Sequence, residues 1–125
     1  MPSTETVARF TNQVLSGDHA GAIRDWYTAD ATVQENQSPP KQGRDLLRAR
    51  EQATLDRMER VDTELLAPPL IDGDTVVIRW RFTFYPTGGG KLMMEEVAWQ
   101  SWRGDQIANE TFFYDPAQMK PPPIA

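Results

Sequence analysis

Hydrophobic and polar positions alternate along the chain between residues 75 and 85. β-Branched and aromatic residues occupy every second position, which is typical of a half-buried β-strand. Residues 91–103 and 106–114 continue as two further strand-like runs, separated by a glycine-rich break at 86–90 and by a Gly-Asp turn signal. The pattern therefore predicts a three-stranded antiparallel meander from 74 to 114.

The same alternation assigns side chains to the two faces of this sheet. If the first hairpin keeps its parity, Glu95 lies beside Arg79 and Arg81, where a cross-strand ion pair is worth roughly 0.2–1 kcal/mol. Glu96 and Gln100 then lie on the opposite, more apolar face. Polar groups on that face are the first indication of function. The apolar face carries Val76, Ile78, Trp80, Phe82 and Phe84.

Apolar residues at helical spacing predict three helices in the first half of the chain. The first has Thr4 as its N-cap and ends near Ser16. The second is capped by Asp18, carries Trp26 and Tyr27 on its apolar side, and ends by residues 29–31. A short strand is predicted next, at residues 32–36.

The third helix is predicted to run from Asp45 to about Val61, with a buried apolar stripe along one side. A strand at 62–70 follows, and Pro68-Pro69 interrupts it, which suits a sheet edge and not a central strand. The proline-rich tail, 116–125, is expected to be irregular. The predicted stripe consists of Leu46, Leu47, Ala49, Ala53, Leu55 and Met58.

Together these elements predict an α+β fold, in which three N-terminal helices pack on one face of a mostly antiparallel sheet. A chain of 125 residues suits one domain, here 1–115. The other face of the sheet carries Trp99 and the arginine row. An exposed tryptophan of this kind indicates a partner surface, so we predict a symmetric homodimer through that face.

Composition excludes several classes of function. The net charge of −5 disfavours binding to nucleic acid or to an anionic membrane. The chain has no cysteine and no membrane-length apolar run, and we expect a cytoplasmic protein. The single histidine, His19, is predicted to be exposed at a helix start and has no partner at ligand spacing, so no metal site, no serine triad and no cofactor are expected.

The order of these motifs resembles that of a known superfamily. Gly17-Asp18 separates the first helices, residues 27–33 read YTADATV, Gly43-Arg44-Asp45 precedes the long helix, and residues 102–107 read WRGDQI. From about 7 to 114 the chain resembles the NTF2-like superfamily, in particular its SnoaL-like polyketide cyclase and ketosteroid isomerase relatives. The resemblance implies a strongly curved, conical sheet wrapped on helices, with an internal pocket. Isomerases, cyclases, hydrolases, dehydratases and non-catalytic binding modules share this fold, so the fold alone does not select a function.

Only part of the ketosteroid isomerase site is carried over by the resemblance. Its helix-one tyrosine corresponds to Phe10, and its second oxyanion donor corresponds to Ala98 or Gln100, neither of which is an acid. Its general base corresponds to Glu35, or to Asn36 if the register slips by one residue. A missing oxyanion donor costs roughly 2.7–4 kcal/mol, and the resemblance therefore disfavours steroid isomerisation.

Three carboxylates are the candidate catalytic residues. Glu35 is either a carboxylate at the mouth of the pocket or a solvated strand-end residue that pairs with Arg44. Glu96 and Glu110 lie within strands. If they face the pocket, desolvation tunes them for proton transfer, whereas outward-facing carboxylates would simply pair with arginines.

The direction of Glu110 depends on the last hairpin. A strict two-residue turn pairs Gln100 with Asn109 and sends Glu110 outward. A bulge reverses this parity, so that Glu110, Phe112 and Tyr114 face inward. SnoaL-like cyclases place acid/base residues on the later strands, and the resemblance favours the inward arrangement.

A dense set of aromatic residues is the candidate ligand-binding wall, although core packing also accounts for many of them. The first functional hypothesis is a cofactor-independent isomerase or cyclase that moves a proton on a small, hydrophobic, carbonyl-bearing substrate. The alternative is a non-catalytic dimer that binds a small apolar ligand or a protein partner. The predicted ligand-binding residues are Trp26, Tyr27, Trp80, Phe82, Gln100, Phe112 and Tyr114.

Overall fold

A computed structural model describes residues 1–119, and the prolines at 121–123, predicted to be irregular, lie outside the described residues. Three helices precede most of the sheet, and a 3-10 helix, Pro116–Met119, follows it where an irregular tail was predicted. The helices are α1 (Thr4–Leu15), α2 (His19–Trp26) and α3 (Arg44–Asp56). The strands are β1 (Tyr27–Glu35), β2 (Lys41–Gln42), β3 (Met58–Leu65), β4 (Leu70–Asp72), β5 (Thr75–Pro86), β6 (Leu92–Arg103) and β7 (Gln106–Phe113).

The seven strands form one curled, unclosed sheet in the order β2-β1-β7-β6-β5-β3, and β4 also pairs with β5. Every pairing is antiparallel except that of β1 with β7, which is parallel. The predicted α+β arrangement of three helices on a mostly antiparallel sheet is confirmed. No helix in the described part of the chain is long and apolar enough to cross a membrane.

The predicted meander corresponds to β5, β6 and β7. Arg81 pairs with Glu95 in register, and its Nη2 lies 2.7 Å from Glu95 Oε1, as the parity of the first hairpin required. The pairing shifts between Ser101 and Trp102 on β6, so this hairpin contains an irregularity of the kind that a β-bulge produces. That shift sets the direction of the side chains of β7 from Asn109 onwards.

Two boundaries in the first half differ from the prediction. Ser3, not Thr4, caps α1, because its Oγ accepts the backbone N–H of Thr6 at 3.0 Å. Helix α2 ends at Trp26, and β1 already begins at Tyr27 where a strand from 32 was predicted. Tyr27 pairs with Ile107 of β7, a partner far away in sequence that local patterns do not reveal.

The prediction for the third helix and the strand after it was wrong in two respects. Helix α3 ends at Asp56, since Met58 already pairs with Pro86 of β5. Of the residues of its predicted apolar stripe, only Leu47 is buried, and Leu46 is 49% exposed. The side of α3 that faces the sheet borders a cavity instead of packed core. The predicted strand at 62–70 is replaced by β3 and β4, which lie on either side of Pro68-Pro69 and both pair with β5.

The core lies between α1, α2 and the middle of the sheet. Phe10 packs edge-on against Trp26 and Trp102, with ring centroids 6.2 and 5.9 Å away. Ile78 and Ile107 are completely buried on neighbouring parts of the same sheet face. This packed region ends beneath α3, where the helix and the sheet diverge.

Candidate acid/base site

A cavity separates α3 from the inner face of the curled sheet. Its inner chamber, of about 380 Å³, is mostly apolar, and its outer mouth, of about 660 Å³, is more polar. Tyr27, Glu35, Glu51 and Glu110 line both parts, so the chamber opens into the mouth. A small apolar molecule with a few polar groups suits a space of this size and lining.

Glu110 is held on the inner face of β7 by two donors. The Tyr27 hydroxyl donates a hydrogen bond to Oε1, and Gln100 Nε2 donates one to Oε2 at 2.6 Å. Trp102 Nε1 donates to Gln100 Oε1 at 3.0 Å, which turns the amide so that its NH2 group faces Glu110. The carboxyl group of Glu110 is therefore fixed in place, and the residue is only 3% exposed.

Opposing effects set the pKa of Glu110. Burial raises this pKa, whereas the hydrogen bonds from Gln100 and Tyr27 stabilise the carboxylate and lower it; the net result is a pKa of about 7. Burial and the charge of Glu110 raise the pKa of the Tyr27 hydroxyl well above its usual value, so that Tyr27 remains a donor. Near neutral pH, Glu110 is thus present both as carboxylate and as acid.

Glu96 is the second acid in the chamber. It lies on the same face of β6 as Gln100, opposite Trp80 of β5, and is 7% exposed. None of the described residues donates a hydrogen bond to its carboxyl group, which borders the open space of the chamber. Burial, followed by repulsion from Glu110 and Glu35, raises the pKa of Glu96 to about 8.

These two environments separate the roles of the two carboxyl groups. Glu110 accepts hydrogen bonds that favour its ionised form, and Glu96 has no such donors. Between about pH 7 and 8 the pair therefore offers a carboxylate and a neutral acid within one apolar chamber. Pairs of titratable groups whose pKa values are separated in this way serve as base and acid in enzymes.

Glu35 lies at the end of β1, with an exposed side chain that lines both the mouth and the chamber. Its alternative partner, Arg44, lies elsewhere: Nη1 of Arg44 donates to the backbone oxygen of Tyr27 at 3.5 Å. Glu35 and Glu96, after burial, contribute to the raised pKa of Tyr114 through their charges. The structure thus places Glu35 at the mouth, and its catalytic role stays a prediction.

Five of the seven predicted ligand-binding residues line the chamber. The other two, Trp26 and Gln100, do not line the cavity. Trp26 packs in the core, and its Nε1 donates to Gln13 Oε1 at 2.8 Å. Gln100 is completely buried behind Glu110, where it orients the acid instead of reaching the open space. The predicted aromatic residues that do line the chamber are Tyr27, Trp80, Phe82, Phe112 and Tyr114.

His19 is buried, contrary to the predicted exposure, with only 7% of its surface accessible. Its Nε2 is hydrogen-bonded to Thr63 Oγ1 at 2.9 Å, and its ring packs on Phe82. The helix-start pattern indicated exposure, but strand β3, which is distant in sequence, covers the ring. Glu51 of α3, which lies outside the predicted apolar stripe, also lines the chamber, with Oε1 3.6 Å from His19 Nδ1.

Comparison with known proteins agrees with this architecture. A structure from Mesorhizobium loti, a proposed SnoaL-like polyketide cyclase [carbohydrate phosphatase], is 25% identical, with a TM-score of 0.75 over 91% of this chain and 100% of that one. A proposed SnoaL-like polyketide cyclase from Jannaschia sp. CCS1 is 15% identical, with a TM-score of 0.77 over 98% and 97% of the two chains. An NTF2-like protein of unknown function from Burkholderia pseudomallei is 12% identical, with a TM-score of 0.78 over 94% and 95%.

The similarity of these structures confirms the predicted NTF2-like fold. No protein of curated function matches the sequence significantly. The family model of the SnoaL-like domain matches residues 7–110, which is most of the chain. This protein therefore belongs to the SnoaL-like domain family.

Proposed function

We propose that this protein binds a small, hydrophobic, carbonyl-bearing molecule in the chamber and moves a proton on it without a cofactor, as an isomerase or cyclase does. The observation that carries the proposal is the placement of Glu110. Its carboxyl group is buried, fixed by Tyr27 and Gln100, and borders the chamber that the unpartnered Glu96 also lines. The family membership and the proposed cyclase activity of the Mesorhizobium loti relative support the same class of reaction.

In the proposed reaction, Glu110 is the base and Glu96 is the acid. The Glu110 carboxylate takes a proton from the carbon next to the substrate carbonyl, and the electron pair of that C–H bond forms an enolate. Glu96, in its neutral form, donates a hydrogen bond to the carbonyl oxygen, where negative charge develops. Glu110 then returns the proton to another carbon in an isomerisation. In a cyclisation, the enolate carbon attacks a second carbonyl of the same molecule, and the new alkoxide takes up the proton.

Glu96 supplies the donor that the comparison with ketosteroid isomerase lacks. The corresponding positions hold Phe10 and either Ala98 or Gln100. Phe10 and Ala98 cannot donate a hydrogen bond, and the amide of Gln100 donates to Glu110. Glu96 lies two residues from Ala98 on the same face of β6, and a raised pKa keeps its carboxyl group protonated near neutral pH. The chamber therefore retains an acid, which lies two residues before Ala98 on the same strand.

Proton exchange tests the proposal without knowledge of the natural substrate. β-Tetralone is a small apolar ketone with exchangeable hydrogens next to its carbonyl, and NMR in D2O measures its deuterium uptake. The protein is expected to accelerate this exchange, with a rate that rises as Glu110 ionises near pH 7 and falls as Glu96 ionises near pH 8. A narrow bell-shaped pH profile would result.

The same measurement distinguishes the second function. If the ketone binds but exchange is no faster than in buffer at any pH, the protein is a non-catalytic ligand-binding module. An accelerated exchange that does not depend on pH would contradict the assignment of base and acid to these two glutamates.

We also propose that the outer sheet face pairs two copies of the chain. Leu70, Val77, Trp99 and Thr111 are consecutive partners across β4, β5, β6 and β7, and Trp99 is 52% exposed. Beside this row, Arg79 and Glu95 offer both signs of charge, so that a two-fold axis can bring unlike charges together.

Light scattering after gel filtration tests the dimer. The wild-type chain is expected to elute with twice its monomer mass of 14.2 kDa. Trp99→Arg should yield monomer, because an arginine would be buried without a partner at the centre of the interface. Leu46→Arg, at an exposed apolar residue of α3 on the other side of the sheet, should remain dimeric. A monomeric wild-type protein would contradict the proposal.

A further inference from the structure

We propose that the ligand carries an ionised carboxylate, which Arg50 and Arg57 hold at the mouth while the apolar part of the ligand occupies the chamber. This inference rests on the proposed function and adds the chemical class of the ligand. It concerns the mouth of the cavity, whereas the proton transfer concerns Glu96 and Glu110 inside it.

The side of α3 that faces the cavity is the first observation. Leu47, Arg50, Glu51, Thr54 and Arg57 follow one another at steps of three, one, three and three residues, so they share one side of the helix. All five line the mouth. The rim of the cavity is therefore lined by two long cationic side chains where a core-facing helix would carry apolar ones.

The second observation is that these cations have no acidic partner. Among the described residues, no carboxylate lies within 4.0 Å of Arg50, Arg57 or Lys41, and Lys41 lines the same mouth from β2. By contrast, Arg79 and Arg81 on the outer sheet face both pair with Glu95. In a chain with a net charge of −5, unpaired basic groups at a cavity entrance are available to an anion from outside.

The acids that line the mouth form no ion pair with these cations. Glu35, Glu51 and Glu110 line the mouth, but Glu51 is directed towards His19, with 3.6 Å between Oε1 and Nδ1, and Glu110 accepts hydrogen bonds from Tyr27 and Gln100. Arg50 and Arg57 are exposed, so a carboxylate that binds them keeps part of its hydration and avoids the cost of burial. Arginine also offers a planar pair of donors that matches the two oxygens of a carboxylate.

A matched pair of probes tests the inference by calorimetry near neutral pH. Naphthylacetic acid is ionised there, and naphthylacetamide has the same ring system without the charge. In low salt the acid is expected to bind roughly five- to tenfold more tightly than the amide, and the difference should shrink in high salt as the charges are screened.

Two variants test whether the preference for the acid over the amide arises at the mouth. The double variant Arg50→Gln, Arg57→Gln should bind both probes with the affinity that the wild-type protein shows for the amide. Arg48→Gln is the matched control, because Arg48 is exposed on the same helix and does not line the cavity. This control should keep the preference for the acid.

The outcomes separate the inference from the proposed function. The proposal that the ligand carries a carboxylate is refuted if the wild-type protein binds acid and amide equally. It is also refuted if Arg48→Gln loses the preference for the acid as fully as the double variant does. Either result leaves the apolar chamber as a binding site. If neither probe binds while the protein still exchanges protons on β-tetralone, the carboxylate at the mouth is excluded and the acid/base chemistry stands. Failure of binding and of exchange together overturns both.

Discussion

Replacing Glu110 by glutamine is expected to lower the rate of proton exchange on β-tetralone by roughly two to four orders of magnitude, the range that a positioned general base contributes. Glutamine has nearly the same shape, and its carbonyl oxygen still accepts the hydrogen bond from Tyr27. It cannot accept a proton from carbon near neutral pH. The affinity for the ketone should therefore change little while the rate falls.

The matched control for this variant is Glu64→Gln, at an exposed glutamate on β3 that pairs with Arg81 outside the chamber. Its exchange rate should equal that of the wild-type protein. A Glu110→Gln variant that retains the wild-type rate would place the base elsewhere, with Glu35, Glu51 and Glu96 as the remaining carboxylates of the chamber.

Replacing Glu96 by glutamine is expected to stabilise the protein at alkaline pH by a few kcal/mol. The pKa of Glu96 is about 8 in the folded state, against an ordinary value of 4.5. Above pH 8 the native protein thus holds a buried, unpartnered negative charge, which glutamine removes. A gain in stability from the loss of an acid is unusual and would mark Glu96 as retained for function.

The pH dependence of the stability follows from the same raised pKa of Glu96. Because the folded pKa lies above the unfolded one, the native state binds more protons between these two values. The contribution of Glu96 to stability is then fully present below about pH 4.5 and is lost as the pH rises through 8. Each such group lowers the free energy of unfolding by ~1.4 kcal/mol per pH unit within this window. Glu110 adds a second slope of the same sign, which ends near pH 7.

Urea unfolding at a series of pH values measures this effect. The wild-type protein should lose stability as the pH rises, and Glu96→Gln should show a shallower slope and a higher stability above pH 8. Glu95→Gln is the control, because Glu95 is the next residue along the strand, faces outward, and has a pKa that its hydrogen bond with Arg81 lowers. It should gain nothing at alkaline pH. Parallel profiles of stability against pH for the wild type and Glu96→Gln would show that Glu96 does not have a raised pKa.

The alternation along β5 and β6 was sufficient to predict the position of Glu96. Side-chain direction in a strand has a period of two, and a hairpin between strands of regular pleat transmits that parity from one strand to the next. Arg81 opposite Glu95 and Glu96 opposite Trp80 both follow from this rule. Features that depend on strand periodicity were therefore accessible from the sequence.

Glu110 shows where such reasoning stops. Its direction depends on one irregular step between Ser101 and Trp102, and the sequence allowed both parities. Tyr27, the donor to Glu110, was predicted on the apolar side of a helix. Its partner Glu110 is 83 residues away in the chain, so local spacing does not reveal this contact. The side of α3 towards the cavity was missed for a related reason: its apolar residues suggested a core contact, and only the diverging sheet shows that Arg50 and Glu51 border open space.

The irregular step in the last hairpin also bears on how relatives with this fold can diverge. If the strict register of the turn continued through this step instead, Gln100 would lie opposite Asn109, Glu110 would point to the outside, and its two donors would face an uncharged amide. A change of pairing at this one step could thus convert a catalyst into a passive carrier, with the framework of helices and strands unchanged. This dependence on a single step explains how one scaffold can serve both catalysts and non-catalytic binding proteins.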